Sequence, residues 1–427
     1  MFLRELTIHN LRSIKDLRLA FESPDGTTRK WTLILGENGC GKSTVLRAAA
    51  LLFAGSDALP HLLGHDVDSW IRYGAEEARI SAALMTADGE SREVTLRLPR
   101  GASVSRLFDI NKETLAQLDA AISYADRNYL TMGYGASRRL NTDPDAVFKS
   151  RRSTPARARS VATLFSPDAV LDPLEAWVID MDYRGKKKQG QKLVERIVKG
   201  LMPHVEFHGI DKDYKQLLFK TPDGVTPLAR LSDGYQNVAA WCGDLLRSIT
   251  ESFKNYKDPL KARGLLLVDE IDLHLHPVWQ RRLRAFLDRS FPQLQFIATT
   301  HSPLTVQQAG EGELYVMQRS RSNASPTLQA FEGAPNTMMV HQLLLSPMFN
   351  LGSMDSLEVE KKRKEYRTLK KKPRQSAGDT KRLKELSSSL KELPDFAQGL
   401  NKLQKKQTQV LEEIKLAIEA GNTGGQA

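Results

Sequence analysis

What most restricts the fold of this chain is one uninterrupted passage. The apolar run Trp31-Thr-Leu-Ile-Leu35 leads straight into Gly36-Glu37-Asn38-Gly39-Cys40-Gly41-Lys42-Ser43-Thr44 and on into VLRAAALLFAG, whose apolar spacing is that of a buried helix. A buried strand, a glycine loop and a buried helix in that order belong to an α/β architecture. Glycines let backbone N–H groups curl around phosphate oxygens, and the helix start adds the positive end of its dipole. The spacing G-x-x-x-x-G-K-S therefore marks Gly36 through Thr44 as a phosphate cradle. Lys42 is expected to reach the β- and γ-phosphates of a nucleotide, and the Ser43 hydroxyl to bind Mg²⁺. The helix is expected to end at Gly55.

Three later segments carry further chemistry. Leu265-Leu-Leu-Val268-Asp269-Glu270 is a buried strand that delivers two carboxylates at its C-terminal end, where α/β sheets place ligands. Such a strand taken alone is mostly structural. With the phosphate loop upstream, Asp269 is expected to join the Mg²⁺ shell and Glu270 to orient or deprotonate the attacking water. Leu231-Ser232-Asp233-Gly234-Tyr235-Gln236 opens a second apolar helix, either as another anion site or as a capping turn without a ligand. His301, in Thr299-Thr-His301-Ser-Pro303, closes the next strand; a neutral imidazole there can meet a γ-phosphate or a water, although a lone His at a strand end is usually structural.

Around these segments the chain alternates strand and helix. FLRELTIHNL and DLRLAFE read as two antiparallel edge strands leading into the central strand WTLIL. Strands are expected at 78–85 and 93–98, separated by an Asp88-Gly89 turn, then a helical stretch at 107–125 and a strand running into the glycine turn of YLTMGYGASRRL. Residues 141–170 are polar and basic and read as an exposed loop. Helices are expected at 174–180 and 187–201, followed by a hairpin around HVEFHGID and KQLLFKTPDG. GLLLVDE, a helix near 279–289 and LQFIATTHS then imply parallel strands joined by a helical crossover. Beyond Gln342 the composition turns Lys-, Glu- and Leu-rich, with Leu400, Leu403, Val410, Leu411, Ile414 and Ile418 at helical spacing. The expected division is thus a head over 1–340, containing the basic loop and a helical lobe at 171–260, and a Lys-rich helical tail over 341–427.

Composition narrows the function classes. The chain has 427 residues, 41% hydrophobic, long enough for one large α/β domain with an accessory segment. Two cysteines, Cys40 and Cys242, offer no disulfide framework. Apolar runs fall well short of the roughly 20 residues a membrane span needs. The expectation is a cytoplasmic protein without a membrane partner. A formal net charge of +11 suits contact with DNA or RNA, since Lys and Arg at phosphates release counterions. The bland alternative is that the excess lies in solvated segments such as KKRK, KKKPR and KRLK.

In this order the four motifs resemble the ABC ATPase heads of the SMC, RecF and OLD group. The phosphate loop, LSDGYQ, LLLVDE and TTHSP match that group's Walker A, signature, Walker B and switch-histidine segments. The opening LTIHNLRSIKDLRLAF resembles the group's N-terminal strand, and Asp272-Leu-His274-Leu-His276-Pro277 its D-loop. The resemblance implies an α/β head with a mixed P-loop sheet, an antiparallel β-subdomain and a helical lobe, using ATP and Mg²⁺. It implies that Asn10, Arg12 and Ser13 lie near the nucleotide and that Asp272 borders it. It also implies that Ser232 and Gly234 close on the γ-phosphate held by a second copy, in a head-to-head dimer or a higher homo-oligomer. The Q-loop glutamine has no matching position, Gln117 being a poor one; Arg138 and Arg139 stand in that neighbourhood, as phosphate contacts or as a solvated basic turn. No long heptad insertion of the SMC kind and no TOPRIM segment of the OLD kind is present. The layout is most like the compact ATPase subunits of bacterial anti-phage systems, the Septu ATPases of the PtuA kind and the retron-associated and PARIS ATPases. That likeness implies a separate nuclease or effector subunit. A RecF-like DNA-repair ATPase and a transporter ATP-binding subunit are the other readings weighed.

Overall fold

The computed structural model describes residues 2–23, 26–64, 66–85, 89–123, 130–140, 154–171, 174–183, 187–202, 204–253, 258–319, 325–349 and 351–391. It divides into two compact units, Met1–Asn350 and Leu351–Ala427.

In the first unit, β1 (Phe2–Leu11), β2 (Ile14–Ala20), β3 (Trp31–Gly36), β4 (Glu77–Met85), β5 (Ser91–Pro99) and β6 (Leu130–Tyr134) precede a two-residue parallel pair, β7 (Arg139–Leu140) and β8 (Val170–Leu171). There follow β9 (Glu206–Asp211), β10 (Gln216–Thr221), β11 (Gly224–Pro227), β12 (Gly264–Val268), β13 (Leu294–Thr300), β14 (Leu314–Gln318) and β15 (Thr327–Ala330). The main sheet has six strands in the order β15-β14-β3-β13-β12-β6, parallel except for β15. A second, antiparallel sheet runs β2-β1-β4-β5, and a third β11-β10-β9. The principal helices are α1 (Lys42–Leu52), α2 (Gly55–Leu63), α3 (Val104–Ile110), α4 (Lys112–Ser123), α5 (Leu174–Tyr183), α6 (Lys187–Leu201), α7 (Asp233–Ser252) and α8 (Pro277–Ser290).

Strands β3, β12 and β13 are buried along their whole length, as parallel strands covered on both faces must be. Their period-two alternation divides the interior in two. Trp31, Leu33, Leu35, Leu266, Val268, Phe296 and Ala298 face a core shared with α5, α6, α7 and α8. Ile34, Leu265, Leu267 and Ile297 face another, built from α1 and the antiparallel sheet. Buried Gln295 ties the sheets together: its side chain accepts from the Leu3 N–H at 2.9 Å and donates to the Leu3 carbonyl at 2.8 Å. Register sets the functional rim. Leu35 pairs with Thr300 and Val268 with Ala298, so the residues that follow β3, β12 and β13 emerge along one edge.

The mixed α/β architecture and the β12–α8–β13 crossover agree with the sequence reading, and several details correct it. Strand β1 is not an edge, being paired with β2 on one side and β4 on the other. Gly55, at φ +73°, opens α2; α1 already ends at Leu52. The stretch read as an exposed loop contains helical turns at Ala156–Arg159 and Ala162–Phe165, which bury Ala158, Val161 and Leu164 in the α1-side core. Short apolar side chains spaced among arginines disguised them. The hairpin gains a third strand, β11, and β14 and β15 had no counterpart in the sequence reading. Residues 141–153 and the apolar series from Leu400 to Ile418 lie outside the described residues.

The second unit contains α9 (Leu357–Lys371) and α10 (Ala377–Lys391). The Ser356 hydroxyl accepts from Val359 N–H and caps α9. Arg382 bonds Glu365 through two nitrogens, joining the helices.

Candidate nucleotide site

The phosphate loop owes its path to glycines at particular points. A Cβ on Gly36 would stand 2.3 Å from the Met317 carbonyl oxygen of neighbouring β14, so only glycine lets the strand end there. Gly39 and Gly41 have φ of +75° and +105°, a region costly for side-chain-bearing residues. A Cβ on Gly39 would meet nothing within 4 Å, whereas one on Gly41 would meet Met317 Cε at 3.1 Å and Ser13 Oγ at 3.2 Å. Ser13 therefore lies against the loop. The Lys42 ammonium donates to the carbonyls of Gly36 at 2.8 Å and Glu37 at 3.0 Å, spanning the loop it belongs to. Burial lowers its pKa, while the charges of Cys40, Asp269 and Glu270 oppose that shift.

Asp269 and Glu270 follow β12 on this rim. Asp269 is 7% exposed. The Thr299 hydroxyl donates to Asp269 Oδ1 at 2.6 Å and accepts from the Glu270 N–H at 2.7 Å, so one buried threonine holds both residues. Glu270 adopts φ +49°, a left-handed conformation that costs an L-residue about 1–2 kcal/mol. His301 is exposed; partial loss of water around its ring and the charge of Lys42 lower its pKa, against the pull of Glu270, Asp272 and Asp269. Burial raises the pKa of the Asp272 carboxyl although it accepts from the Thr300 side chain, and its Oδ1 has no partner among the described residues. Lys42 thus feels the charges of Asp269 and Glu270, and His301 those of Lys42, Glu270, Asp272 and Asp269.

The N-terminal residues approach from β1 and β2. Arg12, at φ +50°, lies over the Trp70 ring at 3.9 Å. Burial and then the charge of Arg47 lower the Arg12 pKa, and Arg47 in turn feels Asp269. Asn10 contributes its carbonyl, which accepts from Arg72 N–H, and Arg72 also donates to the Ser13 carbonyl at 2.6 Å.

The signature segment stands at the start of α7. Ser232 is exposed and its side chain makes no capping bond. Gly234 has a reason within its own chain, since a Cβ would meet the His274 carbonyl oxygen at 2.9 Å and Trp279 at 3.0 Å. Arg138 is not in the solvated turn that the sequence allowed as one alternative. It is 5% exposed, and it donates to the backbone carbonyls of Asp269 and Glu270. Arg139 enters as part of β7, and Gln117 lies in α4. Sequence reasoning missed Thr299, Arg47 and Arg72; only the first carried a signal, as the residue two before His301 on a strand facing Asp269.

These residues fit a Mg²⁺-bound nucleotide. The loop offers backbone N–H groups at the start of α1 and a cation, and the Ser43 hydroxyl and Asp269 carboxylate are hard oxygen donors of the kind Mg²⁺ prefers. Among the described residues no cluster of three or more His, Cys, Asp or Glu could hold a metal without such a ligand. Mg²⁺ commonly takes one carboxylate plus phosphate oxygens, which suits this sparse donor set.

Residues 32–307 match the family described as "AAA domain, putative AbiEii toxin, Type IV TA system". The chain belongs to that AAA-domain family. This family member is 27% identical to the Septu protein PtuA of Bacillus mycoides (strain KBAB4) over 82% of its own length and 45% of the relative's. It is 30% identical to the "Retron Vc95 probable ATPase" of Vibrio cholerae serotype O1 biovar El Tor, over 36% of this chain and 30% of that one. With the Septu protein PtuA of Bacillus thuringiensis it shares 25% identity over 74% of its length and 76% of the relative's. The chain thus spans less than half of the first two relatives. The resemblance to Septu and retron-associated ATPases drawn from the motifs is met by relatives that carry those names. Among the described residues no helix is long and apolar enough to cross a membrane.

Proposed function

We propose that this chain binds Mg-ATP and hydrolyses it as the ATPase subunit of a bacterial anti-phage defence complex. One observation carries the reading: the register of β3, β12 and β13 brings the loop of Lys42, the Asp269–Asp272 turn and His301, three separate stretches of the chain, to one rim of the six-stranded sheet. Gly36 to Thr44 cradle the phosphates, with Lys42 on the β- and γ-phosphates. Ser43 and Asp269 hold the metal, which when bound neutralises developing charge on the phosphates. Glu270 orients or deprotonates the attacking water, and a neutral His301 bonds the water or the γ-phosphate. Arg12 and Ser13 border the nucleotide beside the loop.

Ser232 and Gly234 act on the nucleotide of a second copy. The exposed Ser232 side chain, uncommitted to its own helix cap, supports this arrangement, in which each site is completed by the partner head. The likeness to Septu and retron-associated ATPases supports a separate nuclease or effector subunit, and the basic balance a nucleic-acid contact. A RecF-like DNA-repair ATPase is the second reading, and a nuclease gene beside this one would favour the first.

Glu270→Gln keeps the shape of the site but removes its base. Its turnover is expected to drop roughly 10²–10³-fold. Size-exclusion chromatography with light scattering should then detect an ATP-held dimer. If the variant stays monomeric in saturating Mg-ATP, completion of the site by a second copy is wrong; an unchanged hydrolysis rate would remove Glu270 from its role.

A further inference from the structure

The hydrolysis reading requires two adjacent carboxylates to do different things, although nothing in an extended strand would fix their divergence. Successive carbonyls of a strand point to opposite sides. Here the carbonyls of Asp269 and Glu270 both face one donor, Nη2 of Arg138, the second at 2.7 Å. That is feasible because the backbone leaves its extended course at Glu270, where φ is +49°. Arg138 is itself fixed. Its Nε donates to the Gly135 carbonyl at 3.0 Å, and its guanidinium faces the Trp241 ring of α7 at 5.5 Å. Trp241 packs against Tyr134, whose hydroxyl donates to Asp244 of the same helix at 2.9 Å and whose carbonyl accepts from the Asp269 N–H at 2.7 Å. Arg138 therefore stands between α7, which begins with the signature segment, and the turn that carries the two carboxylates.

We infer that Arg138 is a positioning residue. Its guanidinium clasps the Asp269–Glu270 backbone in the left-handed turn, so that Asp269 stays on Thr299 while the Glu270 side chain is presented to the Lys42–His301 side of the site. A second observation marks this as more than a packing contact. Arg138 Nη1, buried with the rest of the side chain, has no hydrogen-bond partner among the described residues, nor has Asp272 Oδ1 one turn further on. A buried unpaired donor on a cation is costly, and its retention is accounted for by the clasp that Nη2 makes. An apolar side chain of similar length would fill the space without holding either carbonyl. The role rests on the ATPase reading only for its kinetic consequences; the clasp itself is a contact within this chain.

The test uses the full chain with Arg138→Met and Arg138→Lys. In the absence of nucleotide, hydrogen–deuterium exchange should rise about tenfold or more in the peptide covering 268–275 of the Met variant, while that of α1 stays unchanged. Affinity for a fluorescent N-methylanthraniloyl ATP should remain within about threefold, since the phosphate loop is untouched. Turnover should fall by about 10²-fold with KM little altered, the signature of a misplaced catalytic group. The Lys variant retains a donor for the carbonyls but not the planar face over Trp241, and should lie between wild type and Met in both exchange and turnover. The clasp is overturned if exchange at 268–275 is unchanged in both variants. It is also overturned if the loss falls on nucleotide affinity instead of turnover, which would make Arg138 a phosphate contact. Should the Met variant fail to fold, the Lys variant alone decides by the same two readouts. If the wild-type chain proves unable to hydrolyse ATP, the functional reading fails while the exchange result still decides the clasp.

Discussion

At the scale of single residues, the site is a balance of charges held partly out of water, and Asp272 shows what that balance costs. Burial raises its carboxyl pKa, so the folded chain binds a proton at higher pH than the unfolded chain does. The folded state is therefore penalised wherever the carboxylate is ionised. That penalty is absent below the unfolded value of about 3.9 and grows as pH rises through the folded value. Asp272→Asn removes the charge and keeps an acceptor for Thr300. It should raise stability at pH 7, by up to about 1 kcal/mol for a side chain that is only part-buried, and the advantage should vanish near pH 4. Thermal denaturation at the two pH values checks this. Equal gains at both would mean that the charge is not what the fold resists. A stabilising change at a site residue would also be physically sensible, since functional groups are commonly held against the local optimum.

Between elements, what counts is how the sheets are held in register, and Gln295 is the test. It is a buried polar residue in an otherwise apolar strand, and it satisfies both backbone groups of Leu3. Gln295→Leu would leave a buried N–H and a buried C=O without partners, for a loss of about 2–6 kcal/mol at roughly 1–3 kcal/mol per group. A loss under about 0.5 kcal/mol in chemical denaturation would mean that the two sheets are joined by apolar packing alone. Gln295 also shows where reading the sequence stopped. Strands and helices with a clear period were legible: WTLIL, GLLLV and LQFIATT as buried strands, the helix after the phosphate loop, and the two strands that became β4 and β5. The four motifs stood out because their chemistry needs fixed spacing along the chain. Strand β14 was not legible, because LYVMQ is short and its neighbour β3 is nearly 280 residues away; β1 was misjudged as an edge because pairing with β4 is likewise non-local. Arg138 illustrates the same limit in the site. Its two carbonyl partners lie beyond a long intervening segment, and nothing in GYGASRR marks a buried arginine rather than a solvated one.

Over the molecule as a whole, chemistry and charge are distributed differently. Every residue assigned to the nucleotide site lies within Met1–Asn350, as do both apolar cores. Leu351–Ala427 contains 17 Lys and Arg against 11 Asp and Glu, a net +6 of the chain's +11, in fewer than a fifth of its residues. Its described helices are joined by the surface ion pair of Arg382 and Glu365, which contributes little on its own. A chain ending at Asn350 is accordingly expected to bind Mg-ATP within about threefold of the full chain, because no side chain of the cradle is removed and phosphate contacts are local. What should be lost is association: the Glu270→Gln dimer, or capture of a partner subunit or of a polyanion, weakens in the shortened chain. For a polyanion the loss should shrink as salt rises, since counterion release supplies less free energy in concentrated salt. Isothermal titration with Mg-ATP and sedimentation of the Glu270→Gln form separate the two effects. Loss of nucleotide affinity on truncation, with folding intact, would make the second unit part of the ATP site and not an attachment surface.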